Sequence, residues 1–111
     1  MKLFVIAAIV NLVAAFFDGF TTQLAIKQGD VEGNLVLDKI YGTNRPTALQ
    51  EYGIGGTIEA IELTLYLILH KFAGVPFWVF ITLLFAEAGV HIACAISNYK
   101  LAKTGKALFT L

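Results

Sequence analysis

Residues 3–26 read LFVIAAIVNLVAAFFDGFTTQLAI, and this stretch decides the class of fold. A helix needs about 20 mostly apolar residues to cross a bilayer, and this stretch is long enough. Two further stretches, 47–70 and 75–99, meet the same requirement, and Pro76 suits the first turn of a helix. We therefore predict an all-α integral membrane protein: a single transmembrane domain over 1–111, with three transmembrane helices and one longer loop between helices 1 and 2.

The composition agrees with this class and excludes others. Of the 111 residues, 58% are hydrophobic and 14% are charged, whereas soluble proteins average about 45–50% apolar and about 25% charged residues. The formal net charge is zero, so there is no basic surface for nucleic acid. One cysteine excludes a disulfide framework within the chain. The lipid bilayer is the expected partner.

The connections between the spans differ in length. The loop 27–46 begins and ends with turn-forming residues, and within it 35–41 is a candidate short interfacial helix. The second connection, 70–74, is short, which predicts a tight antiparallel helix hairpin. Three glycines, Gly53, Gly55 and Gly56, open the second span. They favour close helix packing, and the alternative is that they line a cavity.

Basic residues indicate the orientation. The N-terminus and the second connection carry Lys2 and Lys71, whereas the other six basic residues lie in the long loop and in the short tail 100–111. This distribution predicts an N-terminus outside the cell and a cytoplasmic C-terminus.

Acidic residues are distributed differently from basic ones. All basic residues lie outside the three spans, whereas Asp18, Glu59, Glu62 and Glu87 lie well inside them. An ionised, unpaired carboxylate costs at least a few kcal/mol near the bilayer centre. Because the spans contain no Lys or Arg, these carboxyl groups need protons, hydrogen bonds among themselves or a bound cation.

Helical spacing brings several of these groups to a similar depth. Each helix has one polar stripe, which in the first span contains Asn11, Asp18 and Thr22. At a rise of about 1.5 Å per residue, Asp18, Glu59, Glu87 and His91 lie near one level of the membrane. Carboxylates with an imidazole suit Zn, Fe or Mn, so we predict these four residues as ligands of a divalent metal. Further ligands, or residues around the site, are predicted to be Glu62, Glu32, Asn34, Thr22, Asn98 and Tyr66.

The segment from Asp18 to Thr22 (DGFTT), followed by Glu32-Gly33-Asn34, resembles the pattern of a family of small prokaryotic membrane proteins of unknown function. That family looks like Asp-x-x-Thr-Thr in a first span, then Glu-x-Asn-Pro, then two more spans; Leu35 stands here in place of the proline. The resemblance implies a prokaryotic inner or plasma membrane. It also implies that Asp18, Thr22, Glu32 and Asn34 act together. The alternative for Glu32 and Asn34 is capping of backbone groups.

Several function classes remain open at this point. The first hypothesis is an intramembrane cation site, used for transport or for metal-dependent chemistry. The alternatives are an accessory subunit with protonated, hydrogen-bonded carboxyl groups, a proton-coupled transporter or channel, and a site for an organic cofactor or lipid headgroup. A homo-oligomer or larger membrane complex is expected, because three helices shield polar stripes poorly. Whether the protein is an enzyme stays open, and no nucleotide-binding loop or catalytic triad signature is present.

Overall fold

The computed structural model describes residues 1–29 and 35–108. This part of the chain is helical and contains no strand: α1 (Lys2–Lys27), α2 (Leu35–Tyr41), α3 (Ala48–Ala73) and α4 (Phe77–Thr104). The helices α1, α3 and α4 are long and apolar enough to cross a membrane. The predicted all-helical class, the three spans and the longer loop between the first two are therefore confirmed, and α2 coincides with the candidate helix at 35–41.

Local sequence signals explain where α3 and α4 begin and end. Thr47 and Gln50 form a capping box at the start of α3. The Thr47 hydroxyl accepts from the backbone N–H of Gln50, and the Gln50 side-chain oxygen accepts from the backbone N–H of Thr47. Gly74 ends α3 with a φ of 69°, a left-handed conformation that glycine adopts easily. Pro76 is the N-cap residue of α4, just before the first turn in which the sequence placed it.

The closest packing joins α1 to α4 along their length. The buried residues of α1 include Ala7, Ala14 and Ala25, and those of α4 include Ala88 and Ser97. Small side chains allow two membrane helices to approach closely. Near the N-terminus of α1 this interface becomes an apolar core formed by Phe4, Ala7, Ala8, Phe80 and Leu84.

By contrast, α3 stands apart from α4 over most of its length. Ring contacts join the two helices near their turn: Tyr66 stacks on Phe80 with centroids 4.5 Å apart, and His70 stacks on Phe77 at 3.6 Å. Beyond these contacts the helices diverge, so the expected tight hairpin is close only at its base. Glutamate and tyrosine side chains between α3 and α4 need more room than the small side chains between α1 and α4.

One close approach links α3 to α1 towards the opposite end. A Cβ atom at Gly19 would lie 2.9 Å from Cε1 of Tyr52, so only glycine fits there without movement of the ring. Beside it, Phe16 stacks on Tyr52 with centroids 5.4 Å apart. The helix α3 therefore contacts α4 at one end and α1 at the other, which leaves space between them.

Candidate functional site

The space between α3 and the α1–α4 pair is a cavity of about 690 Å³, which we call the central cavity. Side chains from all three long helices line it. Its polar lining residues are Asp18, Thr22, Tyr41, Glu51, Tyr52, Glu59, Glu62, Glu87, His91, Cys94, Ser97 and Asn98. No Lys or Arg belongs to the lining in the described part of the chain.

Three glutamates form the most concentrated charge in this cavity. Glu59, Glu62 and Glu87, here called the carboxylate cluster, each offer one oxygen, and these oxygens all lie within 4.8 Å of one another. Glu59 and Glu62 come from neighbouring turns of α3, and Glu87 faces them from α4. Glu59 is only 7% exposed. Like charges this close repel strongly where the dielectric constant is low, so the cluster needs protons or a cation.

Asn11 of α1 connects the two helices of the cluster. Its side-chain Nδ2 donates to Oε1 of Glu59 at 2.7 Å and to Oε2 of Glu87 at 3.1 Å. Tyr66 also donates from its hydroxyl to Oε1 of Glu87, at 3.4 Å. These donors hold the carboxylates in place but do not cancel their charge.

Two acceptor oxygens at the cluster have no hydrogen-bond partner among the described residues. One is Oδ1 of Asn11, whose residue is fully buried, and the other is Oε1 of Glu62. A buried acceptor without a donor costs about 1–3 kcal/mol. A proton shared between carboxyl groups, a bound cation or a ligand with N–H groups would satisfy them.

A second polar group lies beside the cluster and is centred on Asp18. Nδ1 of His91 lies 2.8 Å from Oδ2 of Asp18. Asn98 donates from Nδ2 to Oδ1 of Asp18 at 3.2 Å and to Oγ1 of Thr22 at 2.9 Å. This group is largely satisfied by its own hydrogen bonds, unlike the carboxylate cluster.

The four predicted metal ligands therefore line one cavity but divide into two groups. Glu59 and Glu87 lie with Glu62, whereas Asp18 pairs with His91. Helical spacing explains the division. Glu87 and His91 are one turn apart on α4, so each faces a different turn of α1.

The remaining predicted site residues follow the same division. Thr22 and Asn98 bond to each other beside Asp18, and Tyr66 bonds to Glu87. Glu32 and Asn34 lie outside the described residues, so the hypothesis that they join Asp18 stays a prediction.

Asn11 and Glu51 are among the site residues that were not predicted as such. Asn11 belongs to the polar stripe of the first span, and its seven-residue spacing from Asp18 was the available signal. Glu51 lies at the weakly apolar start of the second span, and Oε1 of its carboxylate accepts from Gln23 at 3.1 Å. Nothing in the local sequence indicates that Gln23 of α1 reaches α3.

The glycine prediction needs a correction. A Cβ atom at Gly53, Gly55 or Gly56 would meet nothing within 4 Å, so these glycines do not bring helices together within one chain. Gly55 and Gly56 instead line the central cavity, which was the alternative. The glycine that permits close packing is Gly19 of α1.

Comparison of the chain with protein-family models, with curated proteins and with solved structures found no match. The resemblance of the DGFTT segment to a prokaryotic family stays a prediction.

Proposed function

We propose that this protein binds a cation inside the membrane at the carboxylate cluster, with a divalent metal ion as the first candidate. The observation that carries the proposal is the convergence of Glu59, Glu62 and Glu87, whose oxygens lie within 4.8 Å of one another. These residues lie in helices suited to cross a membrane, where unpaired carboxylates are costly. A bound cation removes that cost without a Lys or Arg.

The residues around the cluster offer a ligand set of oxygen and nitrogen atoms. Glu59, Glu62 and Glu87 would supply carboxylate oxygens, and Asn11 has an unpartnered Oδ1 beside them. The nitrogens of His91 lie outside the converging group of ligand atoms, so His91 would supply a nitrogen only by moving towards the cluster. Its Nδ1 already faces Asp18, which matches the way that metal-binding histidines are commonly oriented by a carboxylate. In this proposal Asp18 positions His91 instead of binding the metal. Zn, Fe and Mn all accept such mixed ligands.

The use of the cation is transport or metal-dependent chemistry. Both uses need space beside the bound ion, for a path or for a second molecule, and the central cavity supplies it. We also propose that a second copy or a partner subunit covers part of α3 in the membrane, since α3 buries few of its own residues. The topology with the C-terminus in the cytoplasm belongs to the same proposal.

Metal analysis tests this function directly. The protein is purified in mild detergent without chelator or metal-affinity tag, analysed for its elements, and titrated with Zn²⁺, Mn²⁺ and Fe²⁺. We expect one divalent ion per site and at least tenfold weaker binding in Glu87→Gln. Asp38→Asn is the matched control, because it removes a carboxylate on α2 that does not line the cavity. Absence of binding, or equal binding in both variants, would contradict the proposal.

A second candidate function is favoured by the hydrogen bonds of the site. Asn11 bridges Glu59 and Glu87, and Asn98 joins Asp18 to Thr22. These bonds are compatible with protonated carboxyl groups in a proton-coupled transporter or in an accessory subunit. In that case no metal is found, and Glu87→Gln keeps one of the two hydrogen bonds that Glu87 accepts from Asn11 and Tyr66, so the stability of the protein in detergent changes little.

A further inference from the structure

The central cavity is much larger than a metal ion requires. Its volume is about 690 Å³, which lies within the range of roughly 300–1,000 Å³ that is typical of sites for small organic molecules. The carboxylate cluster occupies only part of its wall. The remaining space is large enough for an organic ligand, not only for an ion.

The apolar part of the wall comes from all three long helices. Leu12 and Phe16 belong to α1, Ile58 to α3 and Val90 to α4, and all four line the cavity. The Phe16 ring is held by its stacking on Tyr52. Apolar and acidic residues in one cavity fit a molecule that is apolar at one end and polar at the other.

The negative charge of the lining indicates which polar group the ligand carries. Five acidic residues line the cavity, and the described lining contains no Lys or Arg. An anionic headgroup would be repelled. An ammonium group brings a positive charge and N–H donors, which are what the buried, unpartnered oxygens of Asn11 and Glu62 lack.

We infer that the central cavity binds an amphiphilic organic cation, with its ammonium group at the carboxylate cluster and its apolar body against Leu12, Phe16, Ile58 and Val90. This inference rests on the proposed cation binding and names the class of cation. A metal ion and the ammonium group would use the same carboxylates and therefore compete.

Binding of matched adamantane derivatives tests the inference. The full-length protein in lipid nanodiscs is titrated by calorimetry with 1-aminoadamantane, and then with 1-adamantanol and 1-adamantanecarboxylate, which share the apolar body but are neutral and anionic. Dodecylamine tests a lipid-like source of the same headgroup. We expect the two amines to bind, the carboxylate not to bind, and Glu87→Gln to weaken amine binding at least tenfold. The tighter amine indicates whether the ligand is a compact molecule or a lipid.

Two glycines of α3 provide a matched pair of variants that separate the cavity from the cation site. Gly56→Leu places a side chain into the open space of the cavity, whereas Gly53→Leu adds the same side chain on the same helix at a position outside the lining. We expect at least tenfold weaker amine binding in Gly56→Leu and no change in Gly53→Leu. If Gly56→Leu does not fold, Gly55→Leu replaces it, because Gly55 also lines the cavity.

The outcomes distinguish this inference from the proposed function. Metal binding without amine binding would overturn the inference and leave the proposed function intact. Absence of both would overturn both. Amine binding that is equal in Gly56→Leu, Gly53→Leu and Glu87→Gln would show partition into lipid and would also overturn the inference. Competition between amine and metal supports both proposals.

Discussion

The α1–α4 pair and the helix α3 differ in how they pack within the membrane. Between α1 and α4, small residues such as Ala7, Ala14 and Ala88 bring the backbones together, and these two helices hold most of the buried residues in the described part of the chain. The helix α3 buries only Glu51 and Glu59. One pair of helices therefore supplies the stable core, and the third supplies the charged wall of a cavity.

The difference arises because lipid, and not water, surrounds these helices. Lipid tails are as apolar as Leu or Ile, so helices gain little from burying apolar side chains against one another. Close packing of small residues and hydrogen bonds between polar ones decide which helices associate. The α1–α4 pair uses the first of these, and α3 uses mainly the second, through Asn11, Tyr66 and Gln23.

The largest expected effect is on the core of the α1–α4 pair. Leu84 is fully buried, and Leu84→Ala is expected to lower the free energy of unfolding by up to about 3 kcal/mol, because it leaves a cavity among packed side chains, without the cost of transfer to water that adds to this loss in soluble proteins. Leu83, which is 44% exposed, provides the control Leu83→Ala with little effect. Equilibrium unfolding in mixed detergent micelles measures both, and equal effects would contradict the assignment of the core to this pair.

The next largest effect concerns the contact between α1 and α3. Gly19→Ala places a methyl group 2.9 Å from the Tyr52 ring, and we expect a loss of about 1–3 kcal/mol, as for overpacking elsewhere. Gly89→Ala is the control, since its Cβ would meet nothing within 4 Å and alanine is the better helix former. A thermal unfolding series in detergent compares them, and an unaltered Gly19→Ala would mean that α3 is free to move away from α1.

The start of α3 offers a smaller effect. Thr47→Ala removes the capping box that Thr47 forms with Gln50, and loss of an N-cap costs about 1 kcal/mol. The control is Thr64→Ala, whose hydroxyl only donates to the carbonyl of Ala60 in the same helix. Helicity and unfolding by circular dichroism measure the difference. A larger loss in Thr64→Ala would argue against this account of how α3 begins.

The smallest expected effect measures a single hydrogen bond in the cavity. Asn98 donates to Thr22 at 2.9 Å, and a double-mutant cycle of Asn98→Ala with Thr22→Ala is expected to give a coupling of about 0.6 kcal/mol, typical of polar pairs between membrane helices. The same cycle with Thr82→Ala should give none, because the Thr82 hydroxyl bonds to Trp78 of its own helix. Equal coupling in both cycles would mean that the hydrogen bond from Asn98 to Thr22 does not stabilise the contact between α1 and α4.

The sequence predicted the local elements well. Apolar stretches of sufficient length, turn residues and Pro76 indicated three spans and the short helix α2, and the structure contains them. Spacing also placed Asp18, Glu59, Glu87 and His91 at a common depth, and all four line one cavity. It did not predict how these residues group, because grouping depends on the rotation and separation of helices.

The all-helical membrane fold and the acidic side chains inside its spans can be predicted from the sequence, because length, apolarity and charge are properties of each segment alone. The tertiary structure was needed to show that α4 packs on α1 more closely than on α3, although α3 precedes it by a short turn. It also decided that Gly19, and not Gly53, Gly55 or Gly56, is the glycine at a helix contact. Both the packing of α4 on α1 and the contact at Gly19 depend on which faces of two helices meet. The sequence of a single helix does not show this, because several of its faces are apolar enough to contact a neighbour.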